Sequence, residues 1–167
     1  MPRRLFVALW PDAKVRRELT ILQARPEIRE AGGRRVPAKN IHMTLQFLGD
    51  VDASQQEALE ARLAEFVFEP VTLILDRMGY WPGPGILWLG PRKMPRALSG
   101  TVQRLSNQLR VLGYRVDRRS FKAHVTLARG ARAAKHFAFS PVTWYAQTMV
   151  LAASERLPEG ARYTVIM

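Results

Sequence analysis

The sequence contains no cysteine among its 167 residues. This absence excludes disulfide scaffolds, cysteine-ligated zinc sites, iron–sulfur clusters and cysteine nucleophiles. A chain without disulfides also fits a reducing compartment.

Long hydrophobic runs are missing as well. The first apolar run covers residues 5–10, whereas the hydrophobic region of a secretion signal needs about 7–15 residues. The longest uncharged stretch, residues 136–154, contains Ser, Thr, Gln and Pro and is too polar for a membrane span. We therefore expect a soluble, cytoplasmic protein that is not held in a membrane.

Acidic residues are scarce, with 14 Asp and Glu against 26 Lys and Arg, which gives a net charge of +12. Such a balance points to a polyanionic partner such as RNA, DNA, a nucleotide or an anionic membrane. The fractions of hydrophobic residues, 47%, and charged residues, 24%, are ordinary for globular proteins. Together with the length they predict one domain over residues 1–167.

The hydrophobic pattern alternates between short strands and amphipathic helices. Strands are predicted at residues 5–10, 42–48, 71–75, 86–89, 123–128, 142–153 and 162–166. Helices are predicted at residues 12–30, from a Ser54/Glu57 capping box to Pro70, and along Leu98, Val102, Leu105, Leu109 and Leu112 before Gly113. Helices interspersed among strands on short loops predict an α+β fold with largely antiparallel pairing.

One pattern occurs twice: HMTL begins at His42 and HVTL begins at His124. The chain has eight Thr and three His, so a given His has Thr two places on with a chance of only about 5%. The copies lie 82 residues apart, almost half the chain, and each follows a predicted helix. Two related lobes that face each other would place both copies across one cleft.

The spacing of this motif places an imidazole and a hydroxyl on the same side of a strand, because residues i and i+2 face the same way. Facing strands would therefore present His42, Thr44, His124 and Thr126 to one cleft. This set suits in-line displacement at phosphorus, since one neutral His can take a proton while a protonated His donates one. The Thr hydroxyls can donate hydrogen bonds to phosphate oxygens. No metal and no cofactor are predicted.

Other roles for histidine weigh against this interpretation. A lone His on a strand is more often a hydrogen-bonded structural residue than a catalyst. A metal site is a weaker alternative, because no carboxylate or third His stands at ligand spacing beside either motif. His136 lacks the Thr and is predicted to lie on the surface.

With these motifs the sequence resembles the 2H phosphoesterase superfamily, and within it the RNA 2′,3′-cyclic phosphodiesterases, also called 2′-5′ RNA ligases. The resemblance covers most of the chain. It is carried by RLFVALWP, NIHMTLQFLG, LWLG, FKAHVTLARG and SERLPEGARYTVI at residues 4–11, 40–49, 87–90, 121–130 and 154–166. It implies two pseudo-symmetric lobes whose antiparallel sheets line a central cleft, with helices outside. It also implies hydrolysis of a terminal 2′,3′-cyclic phosphate to a 2′-phosphate.

The resemblance also implies roles for individual residues. His42 would donate a proton to the leaving 3′-oxygen, and His124 would activate water, although symmetry permits the reverse. Thr44 and Thr126 would bind the phosphate, and Arg129 matches a family Arg near it. Strict alternation from His124 would place Arg129 on the opposite face, so a strand end or bulge is needed for Arg129 to reach the site.

Basic residues crowd around the second motif, where residues 115–135 hold seven Lys and Arg against Asp117. We interpret them as an electrostatic funnel for an RNA end, although charge runs are more often solvated surfaces. Trp81 and Tyr80, beside a Gly/Pro loop, are better candidates for base stacking than Trp88 and Trp144, which are predicted to be core.

The expected partners are RNA with 2′,3′-cyclic phosphate ends or 2′,3′-cyclic nucleotides, bound by a monomer. Two alternatives stay open. One is a module that holds RNA ends or nucleotides without turnover, which retention of both His-x-Thr pairs disfavours. The other is 2′-5′ ligation at the same site, which the sequence does not separate from hydrolysis.

Overall fold

The architecture is α+β, as predicted. The computed structural model describes all of residues 1–167. Its strands are β1 Arg3–Leu9, β2 Arg34–Arg35, β3 Met43–Val51, β4 Val71–Leu75, β5 Arg77–Trp81, β6 Ile86–Gly90, β7 Val125–Arg129, β8 Val142–Ala146, β9 Val150–Leu157 and β10 Gly160–Val165. Its helices are α1 Ala13–Gln23, α2 Pro26–Glu30, α3 Ala53–Ala64 and α4 Arg96–Val111, with a 3-10 turn at Ala38–Asn40.

Two four-stranded sheets build the two lobes. One sheet has the order β10-β9-β1-β3, and the other has the order β2-β7-β6-β5; β4 and β8 form a separate pair. Every pairing is antiparallel, which confirms the predicted pairing. Each four-stranded sheet holds one motif strand, β3 in the first and β7 in the second.

The helices form where apolar residues recur at helical spacing and bury that face. In α1 the predicted face of Val15, Leu19 and Leu22 is buried. The longest helix, α4, buries Leu98, Val102, Leu105 and Leu109 and is followed by Gly113 at φ 89°, the left-handed conformation expected just after a helix end. None of the helices combines the length and apolar character that a bilayer crossing requires.

Two helix predictions were wrong in detail. The single helix predicted over residues 12–30 is two helices, because Pro26 cannot continue a helix and instead starts α2. The capping box lies two residues earlier than predicted. Asp52 accepts from the Gln55 amide while the Gln55 side chain accepts from the Asp52 amide.

One strand prediction needs correction, and two strands were not predicted. The strand predicted over residues 142–153 is divided into β8 and β9. Strand β5 falls where no strand was predicted, beside the Gly/Pro loop, since Arg77–Trp81 pairs with β6. The short strand β2 carries no sequence signal, because its two residues are both Arg and both exposed; only its partner β7 defines it.

The main core cluster has 34 buried residues and spans both four-stranded sheets, and Phe6, Ala8 and Ala152 form a smaller one. Trp144 on β8 is the largest fully buried side chain of the main cluster, as its apolar strand predicted. Truncating a fully buried leucine of such a core, for example Leu105 of α4, costs about 2–5 kcal/mol. This packed layer holds β3 and β7 in place behind the cleft.

Candidate active site

One cleft of about 1030 Å³ collects the predicted site residues. Its lining includes His42, Thr44, His124, Thr126 and Arg129. Both histidines stand immediately before a motif strand and are half-buried, while Met43 and Val125 behind them are fully buried. The prediction that the two motifs face one cleft is therefore confirmed in position.

The second motif strand contains a bulge. Thr126 lies opposite Trp88 and Ala128 lies opposite Leu87, so Leu127 has no partner of its own on β6. Two residues of β7 thus oppose one on the neighbouring strand, which reverses the alternation of faces beyond that point. In agreement, Leu127 and the following Ala128 are both fully buried.

This bulge returns Arg129 to the face of His124. In a regular strand Arg129 would point into the core. Instead it is exposed and lines the cleft with Thr126. The sequence had required a strand end or bulge here, and the bulge is present.

The first motif strand has the same irregularity. Thr44 lies opposite Ala8 and Gln46 lies opposite Val7, which leaves Leu45 without a partner on β1. From the histidine onward the two motifs show the same sequence of half-buried, buried, half-buried, buried, buried and exposed residues. The repeat in the sequence is therefore a repeat in backbone geometry.

Phe47 is a cleft residue that the sequence analysis missed. It follows His42 by the same five positions as Arg129 follows His124, and the bulge turns it into the cleft. It is 69% exposed, so its ring offers an apolar surface to the cleft. Aligning the two motifs residue by residue would have revealed this correspondence.

A backbone carbonyl two residues upstream orients each imidazole. His42 Nδ1 lies 2.6 Å from Asn40 O, and His124 Nδ1 lies 2.8 Å from Lys122 O. Because a carbonyl oxygen only accepts hydrogen bonds, Nδ1 carries hydrogen in both rings. Nε2 is therefore the nitrogen of each histidine that is free to exchange a proton.

The Nε2 atom of His42 already contacts its own motif hydroxyl. It lies 2.9 Å from Thr44 Oγ1. When His42 is neutral the hydroxyl donates to Nε2; when His42 is protonated Nε2–H donates to the hydroxyl. The hydroxyl is then free to donate its own hydrogen into the cleft.

Aromatic rings surround His42 and remove it from water. Trp10 stacks on it nearly parallel, at 5.2 Å between ring centroids and 9° between planes. Tyr163 meets it edge-on at 5.0 Å, and Phe6 packs at 5.0 Å with a tilt. Burial among these rings lowers the pKa of His42 from 6.5 to about 4, and the nearby charges of Arg129 and His124 act in the same direction. Its hydrogen bond to Asn40 opposes the shift.

His124 has a lighter aromatic wall. Trp81 meets it edge-on at 4.7 Å, and Trp88 lies at 6.5 Å. Burial lowers the pKa of His124, and Arg129 adds to the effect, while the hydrogen bond to Lys122 opposes it. Both imidazoles therefore favour the neutral form in the free protein, and His42 does so more strongly.

The basic run divides into cleft residues and outer residues. Arg115, Arg119, Lys122 and Arg129 line the cleft. Lys135 instead forms an exposed ion pair with Glu30 at 2.7 Å. The part of the basic run nearest the second motif therefore lines the cleft, where Arg119 is paired with Asp117 at 2.7 Å.

Of the two residues predicted to stack on a base, only one lines the cleft. Trp81 lines the cleft, whereas the Tyr80 hydroxyl donates to the Ala131 carbonyl at 2.9 Å and faces away from it. His136 is exposed, as predicted. No group of three or more His, Asp or Glu side chains is arranged to hold a metal ion.

Comparison with known proteins places this site among relatives. A family model described as "LigT like Phosphoesterase" matches residues 9–88. The RNA 2′,3′-cyclic phosphodiesterase of Escherichia coli is 37% identical over 166 residues, which covers 98% of this chain and 93% of that protein. The protein of the same name from Archaeoglobus fulgidus is 34% identical over 140 residues, covering 77% of this chain and 73% of its own.

Solved structures agree over the whole fold. E. coli LigT in apo form has a TM-score of 0.86 at 32% identity, covering 99% of this chain and 95% of that chain. E. coli LigT complexed with 3′-AMP has a TM-score of 0.84 at 32% identity, covering 100% and 97%.

Proposed function

The chain belongs to the LigT-like phosphoesterases, in the family of RNA 2′,3′-cyclic phosphodiesterases, and we propose that it hydrolyses terminal 2′,3′-cyclic phosphates of RNA to 2′-phosphomonoesters. The observation that carries this proposal is the pair of His-x-Thr motifs, which present two imidazoles and two hydroxyls to one cleft. 2′,3′-Cyclic nucleotides carry the same reacting group and are substrates of the same reaction.

The two histidines divide the proton transfers. His124 Nε2 takes a proton from water as the water oxygen bonds to phosphorus. The bond from phosphorus to the 3′-oxygen breaks, and His42 Nε2–H donates its proton to that oxygen. One water is consumed and the phosphate stays on the 2′-oxygen. Exchange with solvent then restores the two protonation states.

Neutral hydroxyls and one guanidinium stabilise the charge on phosphorus. The hydroxyls of Thr44 and Thr126 donate to the non-bridging oxygens, where negative charge develops. Arg129 supplies a positive charge beside them, since the bulge holds it at the same face. The contact between His42 Nε2 and Thr44 Oγ1 couples the proton donor to a phosphate-binding group.

Substrate binding prepares His42 for its role as the acid. In the free protein the pKa of His42 is about 4, so the neutral form dominates near neutrality. A phosphate anion beside Nε2 favours the imidazolium and raises that pKa. The proton is therefore taken up together with the substrate.

The nucleoside of the RNA end has aromatic surfaces to contact. Phe47 is exposed in the cleft beside the first motif, and Trp81 lines the cleft beside the second motif. Stacking on such rings tolerates any base, because every base has a π face. Phe47 is our first candidate for stacking on the base, because Trp81 already makes an edge-on contact with His124.

Phosphorus NMR tests the reaction directly. Cyclic nucleotides and a short RNA with a cyclic phosphate end are incubated with the protein in EDTA, beside the variants His42→Ala and His124→Ala. His136→Ala is the matched control, because His136 is exposed and outside the cleft. We expect a 2′-monoester product that both motif variants lose and the control retains.

Other products would assign other functions. Binding without turnover by the unaltered protein would make it a module that holds RNA ends. A 2′-5′ linkage formed with a 5′-hydroxyl strand would identify ligation at the same site. A 3′-monoester product would contradict the assigned leaving oxygen.

A further inference from the structure

A second, smaller pocket opens beside the reacting groups. Its volume is about 150 Å³, and it shares His42, Thr126 and Arg129 with the main cleft. The rest of its wall includes Arg34 and Arg35 of β2. These three side chains border both pockets, so a group bound in the smaller one would lie next to the reacting phosphate.

Three arginines, Arg34, Arg35 and Arg129, line this pocket. Arg34, Arg35 and Arg129 take part in no ion pair and no side-chain hydrogen bond within the chain. One carboxylate, that of Glu159 in the turn between β9 and β10, lies on the same wall. The excess of positive charge suits an anion that accepts from guanidinium N–H groups, as a phosphate does.

The backbone holds β2 in this position through contacts with β7. Arg34 pairs with Arg129, and the Val36 amide donates to the Leu127 carbonyl at 2.9 Å. The buried amide of Gln23 donates to both the Val36 and the Leu127 carbonyl, at 3.0 and 2.8 Å. A buried side chain that joins two backbone segments fixes their separation.

Gly33 permits this close approach. Its φ is +75°, and an added Cβ would lie 2.3 Å from the Arg129 carbonyl oxygen. A residue other than glycine would push β2 away from β7. The position of this pocket is therefore fixed by the packing of β2 against β7.

Size selects the occupant. Pockets for drug-sized ligands occupy about 300–1,000 Å³, so a cavity of about 150 Å³ is too small for a nucleoside and accommodates a phosphate group. Resting on the proposed function, we propose that this pocket binds a second phosphate of the RNA substrate, the phosphodiester on the 5′ side of the terminal ribose. RNA ends are then better substrates than cyclic mononucleotides, which lack that phosphate.

The test compares three substrates by kcat/KM. They are adenosine 2′,3′-cyclic phosphate, the dinucleotide ApA with a 2′,3′-cyclic end, and the same dinucleotide with a neutral methylphosphonate linkage. The variant is Arg34→Gln/Arg35→Gln. The control is Arg3→Gln/Arg4→Gln, an exposed pair outside both pockets, which lowers the net charge equally.

We expect the unaltered protein and the control to prefer the charged dinucleotide over the neutral one by about tenfold or more, the effect of a charge-assisted hydrogen bond. The Arg34/Arg35 variant should lose this preference and still hydrolyse the mononucleotide. A variant that keeps the preference would overturn the subsite. Equal slowing on all three substrates would also overturn it, because the arginines would then act on the reacting phosphate. If the unaltered protein hydrolyses none of the three, the proposed function itself fails.

Discussion

Replacing His42 by Asn should flatten the acid-induced loss of stability of this protein. Burial among Trp10, Phe6 and Tyr163 lowers the pKa of His42 from 6.5 to about 4. Between these two values the unfolded chain binds a proton at this position and the folded chain does not. The contribution of His42 to the free energy of unfolding is therefore greatest above pH 6.5 and falls as the pH drops towards 4.

The magnitude follows from the interval. Each pH unit between the two pKa values lowers the free energy of unfolding by about 1.4 kcal/mol, so the whole interval lowers it by about 3.5 kcal/mol. Asn does not titrate and removes this contribution. Urea unfolding at about pH 7.5 and about pH 4.5, in buffer without phosphate, should give a difference in unfolding free energy that is smaller by about 2.5 kcal/mol in His42→Asn.

Taking the difference between two pH values removes the packing cost of the substitution, which is present at both. His136→Asn, at an exposed position, should behave as the unaltered protein does. If His42→Asn loses as much stability on acidification as the unaltered protein, the aromatic surroundings do not hold His42 neutral, and the argument from burial is refuted.

Three further predictions concern catalysis and the framework. The pH profile of kcat/KM should be bell-shaped, because the active form holds one proton on the His42/His124 pair. Its optimum should lie below pH 6.5, because burial lowers the pKa of both histidines. An optimum above neutrality would contradict this. Phe47→Ala should raise KM for cyclic nucleotides by about tenfold through lost stacking, while Phe47→Tyr should not, and an unchanged KM in the alanine variant would remove Phe47 from the binding surface. Gly33→Ala should lower Tm by several degrees. Gly100→Ala, in α4 where an added Cβ meets open space, should raise Tm slightly. Equal behaviour of the two variants would show that β2 does not depend on its glycine.

The sequence predicted those elements whose signal is local. Apolar spacing located α1 and α4, and the repeated motif located β3 and β7 and the cleft between them. Alternation within the motifs also placed His42 and Thr126 on cleft-facing sides, which the structure confirms.

Elements defined by distant partners escaped prediction. Strand β2 exists because Arg34 pairs with Arg129 and because Gln23 joins the two segments, and nothing within residues 34–35 indicates it. Strand β5 forms through pairing with β6, although its glycine and the prolines that follow favour a loop. Phe47 was missed because a regular strand would have turned it away from the cleft.

The paired bulges have a consequence for how this enzyme distinguishes the side of the attacking oxygen from the side of the leaving oxygen. Both halves offer the same backbone path and the same histidine and threonine, so the repeated motifs by themselves make the two directions of attack equivalent. The fifth residue after each histidine breaks that equivalence, with a flat apolar ring in one half and a cation in the other. These two side chains, together with the denser aromatic surroundings of His42, give the site its polarity.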